Sequence, residues 1–135
     1  LDIPNDPLFP FGYGLSYTTF EYGEITLSSK KMTIDEPLTI TVKVKNTGAV
    51  KGDEVIQLYV RDIAGDVVRP MKELKDFKKI TLQPGEEQVV EFTLREEQLR
   101  YHHHDLSFSS DPGSFIVFVG PDSKNAKGLP FTLVK

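Results

Sequence analysis

Cysteine and tryptophan are both missing from this sequence of 135 residues. Without cysteine the chain has no disulfide framework and no thiolate chemistry. Long apolar runs are missing too, since no stretch approaches the roughly 18 residues needed to span a bilayer. The N-terminus also lacks the basic and apolar regions of a secretory signal peptide. We therefore expect a chain that neither spans a membrane nor exports itself; because it begins at Leu1, we expect a mature product or a piece of a longer protein.

An excess of basic charge is also absent. The 16 lysines and arginines are outnumbered by 20 aspartates and glutamates, which gives a formal net charge of −4. The lysines are interspersed with acids rather than gathered on one stripe, so nothing attracts a phosphate backbone. We therefore expect no nucleic-acid partner.

The chain does contain strict alternation of apolar and polar residues, which is typical of half-buried strands. From Leu38 the apolar positions recur at every second residue as far as Val44, and the strand stops at the turn signal Asn46-Thr47-Gly48. Further strands are predicted between Gly, Pro and Asn signals. The predicted strands are Phe20–Leu27, Leu38–Lys45, Glu54–Arg61, Leu74–Leu82, Gln88–Leu94, Phe115–Val119 and Leu129–Val134.

About seven strands at this spacing predict an all-β protein, an immunoglobulin or fibronectin type III-like β-sandwich. Only Leu94–Leu99 has a helical pattern, and it is barely longer than one turn. A parallel barrel or a Rossmann unit needs crossover helices of about ten residues or more, and no segment supplies one. Those enzyme folds are excluded.

The first nineteen residues differ from the rest, and we divide the chain into an arm at 1–19 and a sandwich at 20–135. The arm holds four aromatic residues among three prolines and has no usable period: Phe9, Phe11, Tyr13 and Tyr17. Such rings need apolar cover. Two interpretations stay open: the arm folds back on its own sandwich, or it is a connector whose rings press against a neighbouring domain.

The arm sequence PLFPFGYGLSYTTFEY resembles the segment that precedes the C-terminal fibronectin type III-like domain of glycoside hydrolase family 3 enzymes, chiefly β-glucosidases and β-xylosidases. The segments VKVKNTGAVKGDEVIQLYV, RPMKELKDFKKITLQPGE and PGSFIVFVG are similar to that domain in order and spacing. The resemblance covers essentially the whole chain. It implies that both catalytic carboxylates of such an enzyme lie upstream, in the barrel and α/β domains, and that none lies here.

The resemblance therefore implies a non-catalytic accessory domain of a β-glucosidase-like hydrolase of terminal glucosyl or xylosyl residues. It would have no cofactor, a periplasmic or secreted location, and as its partners the catalytic domains upstream of Leu1. Phe9, Phe11, Tyr13 and Tyr17 would make the interdomain contact. The alternative is a carbohydrate- or cell-wall-binding module, although the chain lacks the tryptophans that usually stack on sugar rings.

Other chemical candidates have simpler interpretations. His102-His103-His104 offers two rings on one face of a strand, which is too few for zinc, so we expect surface histidines. The carboxylate pairs Asp53-Glu54 and Glu96-Glu97 are predicted to be solvated rather than catalytic. Arg69 and Lys72 form a possible ligand-side loop, against the alternative of a surface ion pair.

Overall fold

The computed structural model describes residues 18–63, 72–102, 108–110 and 112–135. Within these residues the chain forms ten strands and one 3₁₀ helix, Glu96–Leu99. The strands are β1 (Phe20–Leu27), β2 (Lys31–Met32), β3 (Leu38–Asn46), β4 (Gly52–Asp62), β5 (Glu73–Leu82), β6 (Glu87–Leu94), β7 (Tyr101–His102), β8 (Phe108–Ser109), β9 (Gly113–Gly120) and β10 (Lys127–Leu133).

The strands form two main sheets. One has three strands in the order β1-β3-β6, and the other has five in the order β2-β10-β9-β4-β5; β7 and β8 pair separately. All pairings are antiparallel except that of β2 with β10. This architecture confirms the predicted all-β sandwich.

The seven strands predicted from the sequence are all present, and β1 has the predicted bounds. The three additional strands, β2, β7 and β8, contain two residues each and carry no periodic signal of their own. The predicted helix at Leu94–Leu99 is shorter, a 3₁₀ helix over Glu96–Leu99 whose entry is fixed by a hydrogen bond from Arg95 N to Gln98 Oε1 of 2.8 Å.

The core lies between the facing sides of the two main sheets. Apolar side chains alternate inward along β3 and β6 and meet those of β4, β9 and β10. In the second group the rings of Phe115 and Phe131 stack with centroids 5.3 Å apart. Each of these strands buries only one side in the core, so the two outer faces of the sandwich can differ in their composition of polar and apolar residues.

The two ends of the sandwich carry different parts of the chain. At the entry end β1 begins, β3 ends and β4 begins, and Gly52 pairs with Leu82 there. At the opposite end β4 finishes at Asp62 and β5 begins at Glu73. The predicted site residue Lys72 lies at this opposite end, immediately before β5.

Candidate functional site

The chain enters the sandwich through a hydrogen-bonded joint, which we define as Thr18, Thr19, Asn46, Thr47 and Gly48. Thr47 N donates to Thr19 O at 2.8 Å, and the hydroxyls of the same two threonines lie 2.8 Å apart. Thr18 Oγ1 donates to Asn46 Oδ1 at 2.6 Å. The two residues before β1 are thus tied to the turn that follows β3.

Asn46 is the centre of the joint and is completely buried. Its Nδ2 donates to Val50 O at 2.9 Å and to Leu82 O at 3.0 Å. Its Oδ1 accepts from Gly48 N at 2.9 Å in addition to the bond from Thr18. One amide therefore uses both of its donors and both acceptor positions to hold three segments together.

Gly48 is required in the joint because the backbone of Thr18 lies directly on it. A Cβ added at Gly48 would stand 1.8 Å from Thr18 Oγ1 and 2.8 Å from Thr18 Cα. No rotamer change relieves a contact with a Cα atom. The joint is therefore a close backbone approach as well as a hydrogen-bond network.

The outer face of the three-stranded sheet is polar. Apart from Val89 and the bulge residue Gly23, the outward residues of its strands are charged or threonine: Glu21, Glu24, Thr26, Thr39, Thr41, Lys43, Lys45, Glu87, Glu91 and Thr93. Opposite charges alternate here without a contiguous apolar area, which is the composition of a solvated surface.

The outer face of the five-stranded sheet carries a continuous row of apolar residues among polar ones, and we call it the apolar face. The strand register places Leu74, Tyr59, Phe118 and Gly128 in one row across β5, β4, β9 and β10. Tyr59 is only 8% exposed although its side chain points away from the core. A Cβ at Gly128 would come within 2.7 Å of the Phe118 ring, so glycine leaves the space that the ring fills.

Phe77 is the most exposed large apolar side chain of this face. It is 61% exposed, and Leu74 on the same strand is 43% exposed. Phe77 pairs with Gln57 of β4, one row away from Tyr59. The apolar face thus has a buried side chain, Tyr59, at its centre and exposed side chains, Leu74 and Phe77, on the edge strand β5.

Lys72 lies across the apolar face. Its Nζ donates to Ser123 O at 2.6 Å and stands 4.3 Å from the centroid of the Phe118 ring. The ammonium group is therefore held over an aromatic ring by a carbonyl and a cation–π contact. The other predicted ligand-side residue, Arg69, lies outside the described residues, so the pairing of the two residues in one loop stays a prediction.

Glu54 forms a half-buried pair with Tyr22 near the entry end. Tyr22 Oη donates to Glu54 Oε2 at 2.8 Å. Burial raises the pKa of Glu54, opposed by the Tyr22 hydrogen bond, and the charge of Asp122 adds to the rise. Burial is also the main cause of the raised pKa of Tyr22. The prediction that the Asp53-Glu54 pair is solvated is therefore wrong for Glu54, whose side chain points inward along β4.

We expect the Glu54→Gln variant to be more stable than the native chain at pH 7. A raised carboxyl pKa means that stability is lost as pH rises past the ordinary carboxyl value, because the unfolded state then binds fewer protons. Glutamine keeps an acceptor for Tyr22 and removes the desolvated charge. Thermal midpoints measured from pH 4 to 8 should show a gain that disappears toward pH 4. Glu24→Gln, at an exposed position of β1, is the control; an equal pH dependence in both variants would contradict this assignment.

Glu96 forms a second network, the Glu96 cluster, with Arg100, Ser110 and Lys135. Arg100 donates to Glu96 through Nη2 at 2.7 Å and through Nε at 3.1 Å and 3.2 Å. Ser110 Oγ also donates to the carboxylate, and Lys135 Nζ donates to Ser110 O. The Arg100 hydrogen bonds are the chief reason that the pKa of Glu96 is lowered despite burial.

The Glu96 carboxylate is only 5% exposed, so the prediction that the Glu96-Glu97 pair is solvated is wrong for Glu96. Glu97 beside it is exposed. The spacing of Glu96 and Arg100 by four positions was a usable signal, whereas Ser110 is too distant in the sequence to be recognised as a partner. Because Arg100 and Ser110 belong to the same sandwich as Glu96, the cluster has a structural role within the domain.

The sequence profile described as "Fibronectin type III-like domain" matches residues 54–123, just over half of the chain. The chain belongs to this family. The matched segment runs from β4 to the turn after β9. It includes most of the apolar face and three members of the Glu96 cluster, namely Glu96, Arg100 and Ser110. The family assignment agrees with the observed sandwich.

Relatives of the domain are parts of much longer chains. It is 46% identical over 133 residues to a periplasmic β-glucosidase of Salmonella typhimurium, covering 98% of this chain and 17% of that protein. It is 43% identical to a putative β-xylosidase of Formosa agariphila, covering 100% of this chain and 18% of the relative. A solved β-glucosidase from Listeria innocua in complex with gluconolactone is similar with a TM-score of 0.83 and 41% identity, over 100% of this chain and 19% of that one.

The fibronectin type III-like domain thus spans about a sixth to a fifth of the length of these relatives. This confirms the resemblance to the accessory domain of a β-glucosidase-type enzyme. The four aromatic residues predicted to make the interdomain contact, Phe9, Phe11, Tyr13 and Tyr17, lie outside the described residues, as do His103 and His104. Their roles stay predictions.

A depression of about 380 Å³ in the domain is lined by Ser28, Lys31, Glu36 and Val134 among other residues. It offers one carboxylate, whereas glycoside hydrolysis generally uses a pair flanking the sugar. Within the described ranges no three His, Asp or Glu side chains group as metal ligands would. The described part of the chain also has no helix long and apolar enough to cross a membrane.

Proposed function

We propose that this domain is the accessory part of a β-glucosidase-type glycoside hydrolase and that it packs on the catalytic part of the same polypeptide and stabilises it. In this function it supplies no catalytic residue and needs no cofactor. Hydrolysis of terminal β-linked glucosyl or xylosyl residues would be the activity of the whole enzyme, in a periplasmic or secreted location. The relatives support this proposal because each carries the similar region within a much longer chain.

The observation that carries the proposal is the joint at the entry end. Thr18 and Thr19 are held by Thr47 and by the buried Asn46 amide rather than left as a loose tether. A segment fixed in this way transmits a defined orientation to whatever precedes it, which a flexible linker does not. Such a joint suits a domain that docks in one position.

The aromatic residues of the preceding segment complete the proposal. Phe9, Phe11, Tyr13 and Tyr17 would bury their rings against the catalytic part, and each ring removes a large apolar area from water. A contact of this kind stabilises both domains together, as inter-domain interfaces within one chain do.

Replacing Phe11 and Tyr13 with alanine should lower the thermal midpoint of the full-length enzyme. The loss of two buried rings leaves a cavity and reduces the apolar contact. Differential scanning calorimetry of the full-length enzyme measures the change, and the same double variant in the 135-residue chain is the comparison. An unchanged midpoint in the enzyme would refute the proposal, and an equal loss in the 135-residue chain would show that the arm packs on its own sandwich instead.

A further inference from the structure

The two outer faces of the sandwich have opposite character although both belong to strands of similar length. Val89 is 58% exposed but is surrounded by charged residues and threonines on the three-stranded sheet. Phe77 is 61% exposed and lies next to Tyr59, Leu74 and Val55 on the apolar face. A soluble domain gains nothing from a contiguous apolar surface in water, so an area of this kind marks an interaction site.

We infer that the apolar face is the surface that docks on the catalytic part of the enzyme, against an apolar patch rimmed by carboxylates. This inference rests on the proposed function and adds which side of the sandwich makes the contact. It requires Phe77 and Leu74, which are exposed in the domain alone, to be buried in the full-length enzyme.

The charged residues on the apolar face predict the sign of the charge around the partner's apolar patch. Arg61 and Lys79 point outward from β4 and β5, and Lys72 lies over Phe118. The carboxylate that shares this face in the described strands is Asp53, whose Oδ2 is 3.6 Å from Lys79 Nζ. The face is therefore locally positive in a chain whose net charge is −4. Complementary potentials favour an acidic rim on the partner.

The edge of the same sheet is not the docking element. β5 is an edge strand that carries Lys75, Lys78 and Lys79 and has a bulge opposite Leu58 and Tyr59. Lysines and a bulge are the devices by which edge strands avoid pairing with another strand. Lys78 is also held by Glu91 O of β6. The contact must therefore be made by the flat face and not by adding a strand.

The length of the relatives outside the matched region indicates which partner covers the apolar face. More than four-fifths of the length of each relative lies outside the region that matches this chain. A contact within one chain typically buries about 600–1,500 Å². A sheet face of four strands offers an area of that order, and the joint holds Thr18 and Thr19 at the entry end of the same sandwich.

Hydroxyl-radical footprinting with mass spectrometry tests the inference by comparing each side chain with itself in two proteins. In the full-length enzyme, oxidation of Phe77 should fall at least about fivefold relative to the 135-residue chain, because the centre of an interface excludes water. Val89 should change less than about twofold, because an outer face that keeps its contact with water stays reactive.

Substitution provides the second measurement. Phe77→Ser should lower the thermal midpoint of the full-length enzyme, whereas the matched variant Val89→Ser should not. In the 135-residue chain both should stay within about 0.5 kcal/mol of the native stability, as exposed substitutions usually do. A Phe77→Ser loss that is equal in the domain and in the enzyme would overturn the inference.

The remaining outcomes separate this inference from the proposed function. Protection of Val89 instead of Phe77 would overturn the choice of face and leave docking intact, while no protection anywhere on the domain would overturn both. Protection of Phe77 in the 135-residue chain that grows with its concentration would assign the face to a second copy. Protection of Phe77 in the 135-residue chain that is lost when residues 1–17 are deleted would assign the apolar face to the arm. Protection of Phe77 in the same chain that appears on addition of a soluble β-glucan would assign the face to carbohydrate. Each of these results would refute docking of this face on the catalytic part.

Discussion

Replacing Asn46 with alanine is expected to lower the free energy of unfolding of the domain by about 2–4 kcal/mol, since each buried polar group left without its partner costs about 1–3 kcal/mol. The variant removes both donors from Val50 O and Leu82 O and the acceptor of Thr18 and Gly48. Asn46 is completely buried, so the groups that lose their partners lie away from bulk water. A loss of this size is a large fraction of the about 5–15 kcal/mol that stabilises a typical domain.

Urea unfolding of the 135-residue chain measures this loss as a shift of the midpoint at constant slope. Asn125→Ala is the matched control, because Asn125 donates to Asp122 in an exposed turn. Asn46→Asp separates the two halves of the network: it keeps the acceptor for Thr18 but turns an oxygen toward two carbonyls, so we expect a loss at least as large at neutral pH. If the Asn46→Ala variant had the same urea midpoint as the Asn125→Ala control, the joint would contribute little to the stability of the domain.

The effect on the joint is measurable apart from global stability. Thr47 N donates to Thr19 O, so its exchange with deuterium reports whether the entry segment stays in place. In the Asn46→Ala variant this amide should exchange faster relative to amides of the β3–β6 pairing. The same exchange rate in both proteins would mean that Thr19 is held without Asn46.

The turn at Asn46-Thr47-Gly48 shows what the sequence could and could not predict. Its position was predicted correctly, because Asn and Gly are frequent turn residues. The physical reason is different. Among the described glycines the positive φ angles belong to Gly85 and Gly113, so Gly48 is needed for the approach of Thr18 rather than for a left-handed backbone. A contact between positions 18 and 48 leaves no periodic trace in either segment.

The strands also divide into those that the sequence could predict and those that it could not. β3 and β6 were predictable because alternation over eight or nine residues records which side faces the core. β2 was not, although Met32 is completely buried, because two residues carry no period and their pairing is with β10 at the other end of the chain. The apolar face was partly visible as the run VIQLYV, which is apolar on both sides, but the row from Leu74 to Phe118 exists only after three strands are in register.

Removing the Glu96 carboxylate is the second large expected effect. We expect Glu96→Ala to lower the free energy of unfolding at pH 7 by about 2–3 kcal/mol, in the range of hydrogen bonds to a charged group. The variant leaves Ser110, which is buried, without its acceptor and leaves Arg100 without its bidentate partner. Glu97→Ala is the matched control, since an exposed neighbour of the same type should change stability by less than about 0.5 kcal/mol.

The pH dependence distinguishes the role of the charge from a loss of packing. Because the pKa of Glu96 is lowered in the folded domain, its contribution is present above the ordinary carboxyl pKa and is lost as pH falls through the lowered value. The difference between the native chain and Glu96→Ala should therefore shrink between about pH 5 and pH 3, a window set by unfolded carboxyls near 4.3. If the difference in free energy of unfolding stayed constant down to pH 3, the Glu96 side chain would act through packing alone. The ion pair with Arg100 would then not stabilise the domain.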